Sequence, residues 1–412
     1  MGYAPATGQA ICLRDLLVCA PMSNTQKPAR EIRALTGARA LPPLFLVLYH
    51  YHEGHGYQHV PWFDIFVAKG YLWVEFFFVL SGFVLTYVYF SRWQNLFTLK
   101  GYGQFLRNRL ARLYPVHLAM IIVLAIMLVV LQALAHAGGY VSVFNLPIYH
   151  PDMSLKALAL NLLLIQAWHV MGHLSWNGVA WFISVEFALC LAFPIFLFAA
   201  RGSAARALLL LVLGFITLRN LALTSGHGLD LTFDLGLVRG FADSAIGVAL
   251  AMLHRHLSPK LERLPEAAFT VAQFVVFGTF FYVMYHTGWA HNPMDVWVAA
   301  AMTLIVASLA FDRGALARLF MRKPLQRLGE WSYAIYMGQT ALLMLLRFLQ
   351  QRIYPQELVT HYRLVHVLEP ALLVPACVLW GYLLYRLVEK PANRWLRGPA
   401  AAILPPPVER AT

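Results

Sequence analysis

The sequence predicts an all-α, polytopic integral membrane protein with about ten transmembrane helices and both termini in the cytoplasm. Composition is the first observation behind that class. The 412 residues are 60% hydrophobic and only 12% charged, with a mean hydropathy of +0.61. A soluble globular domain carries roughly 25% charged residues, so too little charge is available here to cover a water-facing surface. The second observation is a series of apolar stretches close to the roughly 20 residues that cross a bilayer as a helix. The third is the placement of the basic residues, which outnumber the acidic ones by 32 to 19.

The ten apolar stretches run over about 36–52, 71–90, 114–136, 178–200, 206–224, 234–254, 267–287, 293–311, 330–348 and 366–388. The first is interrupted by Pro42 and Pro43, and the sixth contains Asp234, Arg239 and Asp243. A further run, Leu155–Trp168, is too short to span and reads as an interfacial or re-entrant helix. Of the 32 Lys and Arg residues, 25 fall at every second boundary: before span one and after spans two, four, six, eight and ten. By the positive-inside rule that face is cytoplasmic. The net charge of +13 is then a topological bias, and no nucleic-acid partner is needed to explain it.

Residues 1–34 read as a cytoplasmic tail, 35–395 as the membrane domain and 396–412 as a second cytoplasmic tail. Ile11–Pro21 is apolar but lacks a basic leader and a small-residue cleavage site, so it is not read as a signal peptide. Met22 is an alternative start for the chain. The run after the tenth span is short, and no soluble domain is expected there. Cys12, Cys19, Cys190 and Cys377 lack metal or redox spacing and read as small hydrophobes.

Ionisable groups inside spans are costly and mark candidate sites. Arg39 and His50 lie eleven residues apart on span one. On one continuous helix that is about three turns and roughly 16 Å, which puts both on nearly the same face. Glu75 opens span two, Glu186 lies on span four, and Arg109 and Arg112 stand where span three enters from the cytoplasm. Each also has a structural reading: His50 as a packing residue, the two arginines as topology anchors, and Glu186 as the partner of Arg219 or Arg239. His50, His52, His55 and His59 cluster but sit beside no cysteine or second carboxylate group, so no metal is expected.

Five ordered segments together resemble membrane acyltransferase family 3, whose members O-acetylate bacterial surface glycans and some secreted small molecules. The family pattern L-D-G-L-R-(x)10-H is similar to Leu35-Thr36-Gly37-Ala38-Arg39 followed by His50. Its G-V-[DE]-x-F-F-V-L-S-G-F segment resembles Val74-Glu75 through Phe83, and R-x-x-R-[IL]-x-P resembles Arg109 to Pro115. Trp181–Glu186, with Phe187 to Pro194 after it, is similar to the family's W-[ST]-L-[ST]-x-E element. Ser332-Tyr333-Ala334-Ile335-Tyr336-Met337-Gly338-Gln339 resembles S-Y-x-x-Y-L-x-H. Thr36 stands where the family has Asp, and Gln339 where it has a late His, which makes Gln339 a substrate contact and not a catalytic group.

The resemblance implies a bacterial inner-membrane O-acyltransferase. It implies cytoplasmic acyl-CoA, acetyl-CoA the expected form, as donor, and a glycan or lipid-linked glycan hydroxyl as acceptor. Arg109, Arg112 and Arg39 would take the donor phosphates, since arginine offers bidentate charge-assisted contacts. His50 would act as general base, oriented by Glu75 or Glu186. Ser81 and Arg39 are candidate oxyanion donors, and Trp181, Ser184, Tyr333 and Gln339 candidate substrate contacts. The largest outer loop, Ala137–Asn177, carries His150, Asp152, Trp168, His169, His173 and Trp176, a composition suited to sugars or to anchoring at the membrane interface. Two other classes fit the composition: a transporter or flippase using Arg39, Glu75, Glu186, Arg219 and Arg239 as a path, and a haem or metal protein using the sixteen His.

Overall fold

The computed structural model describes residues 30–53, 61–137, 153–353 and 363–397. The expected tails therefore lie outside the described residues up to 29 and from 398 onward, as do Cys12, Cys19, His55, His59, His150 and Asp152. Among the described residues the fold is all-helical. In chain order the helices are α1 (Arg33–Ala38), α2 (Leu41–Glu53), α3 (Pro61–Ala68), α4 (Trp73–Tyr89), α5 (Leu99–Ala137) and α6 (Leu155–Leu162). They continue as α7 (Trp181–Ala200), α8 (Ala204–Thr224), α9 (Gly236–Leu261), α10 (Glu266–His286), α11 (Asp295–Leu309) and α12 (Ala315–Phe320). The last three are α13 (Lys323–Ile353), α14 (Arg363–Leu384) and α15 (Lys390–Arg397).

Each of the ten apolar stretches coincides with helix, and seven helical runs are long and apolar enough to cross a membrane. These are Gly70–Phe97, Leu99–Ala137, Gly178–Ala200, Ala204–Thr224, Gly236–Leu261, Glu266–His286 and Val367–Arg397. The protein is thus polytopic. Of the remaining stretches, α2 has 13 residues and α11 has 15. The Leu155–Trp168 run folds as the eight-residue α6, started by Ser154, whose side chain accepts the Ala157 N–H. It then turns at Leu164 and His169, both with positive φ.

The first stretch departs from its expected form. It breaks at Arg39 and Ala40, between α1 and α2. Pro42 and Pro43 explain the break: proline has no N–H to give to the preceding turn, and it fits the first turn of a new helix. Arg39 and His50 consequently do not share one helical face.

Burial separates inner from outer helices. The apolar windows of α4 and α9 are 72% buried, whereas that of α10 is 22% buried. Outer helices present bare aliphatic and aromatic side chains, such as Ile126 and Val129 on α5, Phe274 on α10 and Leu372 on α14. Such a surface suits hydrocarbon and not water. At the centre, α4 and α9 touch backbone to backbone. A side chain on Gly82 would strike the Ser244 carbonyl, and one on Gly247 the Val79 carbonyl. Without a hydrophobic driving force between helices in lipid, such close packing at small residues is what binds them. The glycine of the Ser81-Gly82 pair therefore has a steric reason to be there.

Candidate active site

Two cavities lie one behind the other along the helix axes. The larger, about 560 Å³, is lined on α2 by Tyr49, His50 and Glu53, on α4 by Val74, and on α13 by Tyr336, Thr340 and Leu343. Trp181 at the start of α7 and Asp230 and Thr232 before α9 complete much of its wall, with His173 and Trp176 from the segment after α6. The smaller, about 110 Å³, is lined by Phe77 and Ser81 further along α4, Phe182 and Glu186 on α7, Tyr333 and Tyr336 on α13, Arg109 and Arg112 on α5, and Arg39 between α1 and α2, among others. Tyr336 belongs to both walls.

In the larger cavity His50 Nδ1 lies 3.3 Å from Glu53 Oε2. A carboxylate only accepts, so Nδ1 carries the proton in this bond, and in the neutral imidazole the lone pair is then on Nε2. Spacing explains the contact, because residues three apart share a helix face. A second cluster sits beside it. Asp230 Oδ2 accepts from the Tyr49 hydroxyl at 3.1 Å and lies 3.2 Å from His291 Nε2. Tyr71 donates its hydroxyl to Asp295 at 2.6 Å and accepts the His291 N–H at 2.8 Å.

The bond to Asp230 raises the His291 pKa above its ordinary value against the opposing effect of burial. Burial pushes the Asp230 carboxyl up, but the His291 bond and the Arg239 charge outweigh it and hold the pKa below the ordinary value. The His291 contribution to stability is complete below its unfolded pKa, about 6.5, and is lost as pH rises through the raised folded value. Asp230 stays ionised across that window. Thermal midpoints of wild type and His291→Ala should therefore differ most near pH 6 and converge as pH rises toward 9. A constant difference would refute the pair's contribution.

Arg239, which also belongs to this wall, is fully buried, and each of its guanidinium nitrogens has a partner. Its Nε donates to Glu75 Oε1 at 2.7 Å, and Nη1 and Nη2 donate to the Leu231 and Tyr71 carbonyls at 3.0 Å each. Its guanidinium lies 5.7 Å from the centre of the Trp181 ring. Glu75 thus holds Arg239, which braces Trp181.

The smaller cavity collects the remaining charges. Arg109 Nη2 makes a close ion pair with Glu186 Oε1, which also accepts the Ser81 hydroxyl at 2.6 Å. Arg112 Nη1 lies 3.2 Å from Glu389 Oε1. Glu389 ends a π-helical turn, Tyr385–Glu389, between α14 and α15. The extra residue in such a turn re-aims the side chains after it, and Glu389 is fully buried. Arg39 lines the cavity as a third guanidinium. Three cations against two carboxylates leave it a positive balance.

The candidates therefore fall into three groups. His50 and Trp181 line the larger cavity. Arg39, Ser81, Arg109, Arg112, Glu186 and Tyr333 line the smaller one. Glu75, Ser184 and Gln339 line neither. Ser184 accepts the Ala167 N–H and donates to the Leu164 carbonyl, fastening the turn after α6, while Gln339 donates to the Tyr336 carbonyl. The carboxylate bonded to His50 is Glu53, where the sequence suggested Glu75 or Glu186. Glu186 lies past Trp181 on α7, at the depth of the arginines, and its partner is Arg109 instead of Arg219 or Arg239. His52 turns its Nδ1 to the Leu48 carbonyl at 2.8 Å.

Residues 32–386 match the family described as an acyltransferase domain. The chain belongs to that acyltransferase family. It is 24% identical over 346 residues to "Peptidoglycan O-acetyltransferase OatA" of Listeria monocytogenes, covering 77% of this chain and 50% of the relative. It is 33% identical over 110 residues to "Protein 2 in picA locus" of Rhizobium radiobacter, covering 27% of this chain and 52% of the relative. The chain thus spans about half the length of both relatives. No solved structure matches it.

Several residues of the acyltransferase domain were not singled out by sequence reasoning. Glu53 was within reach, since it lies three residues after His50 on a helix. Glu389 meets Arg112, and Asp230 meets Tyr49, only through contacts distant in sequence. Tyr336 stood inside a recognised segment with no charge to draw notice.

Proposed function

We propose that this chain is a membrane O-acyltransferase that moves an acyl group, acetyl the expected one, from cytoplasmic acyl-CoA to a hydroxyl of a glycan or lipid-linked glycan. The observation that carries the reading is the pair of stacked cavities, one lined by arginines and the other by His50, meeting at Tyr336. The family and the name of the Listeria relative support the reaction class and a glycan acceptor. In this reading all ten helical stretches cross or enter the bacterial inner membrane, with the arginine cavity facing the cytoplasm by the positive-inside rule.

The phosphates of acyl-CoA would bind Arg39, Arg109 and Arg112, and the pantetheine arm would extend toward His50. His50 Nε2 takes the proton of the acceptor hydroxyl as its oxygen bonds to the thioester carbonyl carbon. The C–S bond then breaks, and the proton passes to the departing thiolate, so that ester and free CoA thiol leave. Glu53 on Nδ1 fixes the tautomer and steadies the imidazolium that forms, the task a carboxylate performs in other hydroxyl-activating sites. The ion pairs of Arg109 and Arg112 hold the guanidiniums in place before the donor arrives. A transporter reading is weaker, because Glu75 and Arg239 neutralise each other and Glu186 is paired with Arg109.

The test uses purified protein, radiolabelled acetyl-CoA and cell-envelope glycan fragments. Label transferred to glycan supports the reading, and none overturns it. Arg112→Ala should weaken acyl-CoA binding roughly ten- to a hundredfold, the worth of one charge-assisted contact. It should also reduce the salt dependence of binding. Unchanged binding and salt dependence would leave Arg112 a topology anchor.

A further inference from the structure

We infer that Tyr336, Phe77 and Phe182 form an aromatic septum between the two cavities that selects acyl groups by cross-section, admitting straight chains and rejecting branched ones. The inference rests on the acyl-CoA reading above.

Tyr336 is the residue common to both cavity walls. Its ring centre lies 5.5 Å from that of Phe182 and 6.3 Å from that of Phe77, and those two are 5.8 Å apart. The three rings come from α13, α7 and α4, and at these separations they are in mutual contact with no lumen between them. Tyr336 is pinned by its hydroxyl, which donates to the Val179 carbonyl at 3.0 Å. Phe182 is backed by Phe78, stacked at 4.7 Å.

With the arginines on one side and His50 on the other, a thioester held by its phosphates must pass these rings to be attacked. The larger cavity, at about 560 Å³, has room for many acyl groups, so the narrow passage and not the chamber imposes the limit. A straight acyl chain is no wider than the pantetheine segment that follows it. A branch at the carbon beside the carbonyl is wider and enters first, so the rings must separate further to admit it. In a close-packed interior that extra width is felt.

Butyryl-CoA and isobutyryl-CoA test this, because they are isomers differing in width. Full-length protein in detergent is given each donor with cell-envelope glycan fragments, and released CoA thiol is measured. Wild type should favour butyryl. Tyr336→Ala should raise the isobutyryl-to-butyryl ratio about tenfold or more, the scale of discrimination set by one misplaced carbon in an apolar pocket. Tyr336→Phe keeps the ring and should keep the preference. Phe182→Leu opens the septum from the other side and serves if Tyr336→Ala does not fold. A wild type that uses both isomers equally overturns the septum, as do folded variants with the wild-type ratio. No thiol release from either isomer or from acetyl-CoA would instead overturn the proposed function.

Discussion

Replacing His50 with alanine is expected to lower acyl transfer by about 10²- to 10⁴-fold, the contribution of a positioned general base. The amount of folded protein should hold. His50 lies at a cavity wall with its side chain 25% exposed, and its bond is to Glu53, which is half exposed. Losing it leaves no buried charge without a partner, so a large loss of turnover cannot be assigned to unfolding. Glu53→Gln should lower kcat by a smaller factor and shift the pH profile, because it keeps a bond to Nδ1 but loses the charge that steadies the imidazolium. Retained turnover in His50→Ala would end the general-base role. A sharp fall in its thermal midpoint would return His50 to being a packing residue.

For Glu75 the expected result is of a different kind. Glu75→Ala should destabilise the protein by roughly 3–5 kcal/mol, because it takes from the fully buried Arg239 the carboxylate bonded to it. Both side chains are fully buried, and Asp243 lies close by with both carboxylate oxygens buried. The measurement is the thermal midpoint of the detergent-solubilised protein together with its abundance in membranes. Replacing the pair together, Glu75→Leu with Arg239→Leu, should recover part of the loss, since an apolar pair removes both desolvation costs. A catalytic Glu75 would behave otherwise: Glu75→Gln would lose kcat at an unchanged midpoint. That outcome would overturn the bracing role assigned to it through Arg239 and Trp181.

Much of the fold was legible in the sequence because lipid simplifies the problem. In hydrocarbon every backbone polar group must be paired within its own segment, so long apolar runs become helices. The ten stretches and the basic bias could be read with no knowledge of contacts. Local rules also reached one step into the site. The Ser154 cap, the break before Pro42 and the His50–Glu53 pair depend only on residues a few positions apart, yet of these only the interruption at Pro42 and Pro43 was read from the sequence.

Charge pairing was not legible, since it depends on which helices adjoin. Arg109 with Glu186, Arg112 with Glu389 and Arg239 with Glu75 each join different helices, and a span pattern fixes no neighbours. The sequence named Glu75 and Glu186 as partners for His50 because they were the acidic groups of the recognised motifs inside spans, whereas the structure pairs them with Arg239 and Arg109 and sets Glu53 beside His50. By itself the sequence determined that the chain is helical and polytopic, and its motifs resembled the acyltransferase family to which it belongs. Only the tertiary structure decided that His50 and the arginines occupy separate cavities meeting at Tyr336. Depth along a helix can be counted from residue numbers, but which side chains face one another depends on how the helices pack.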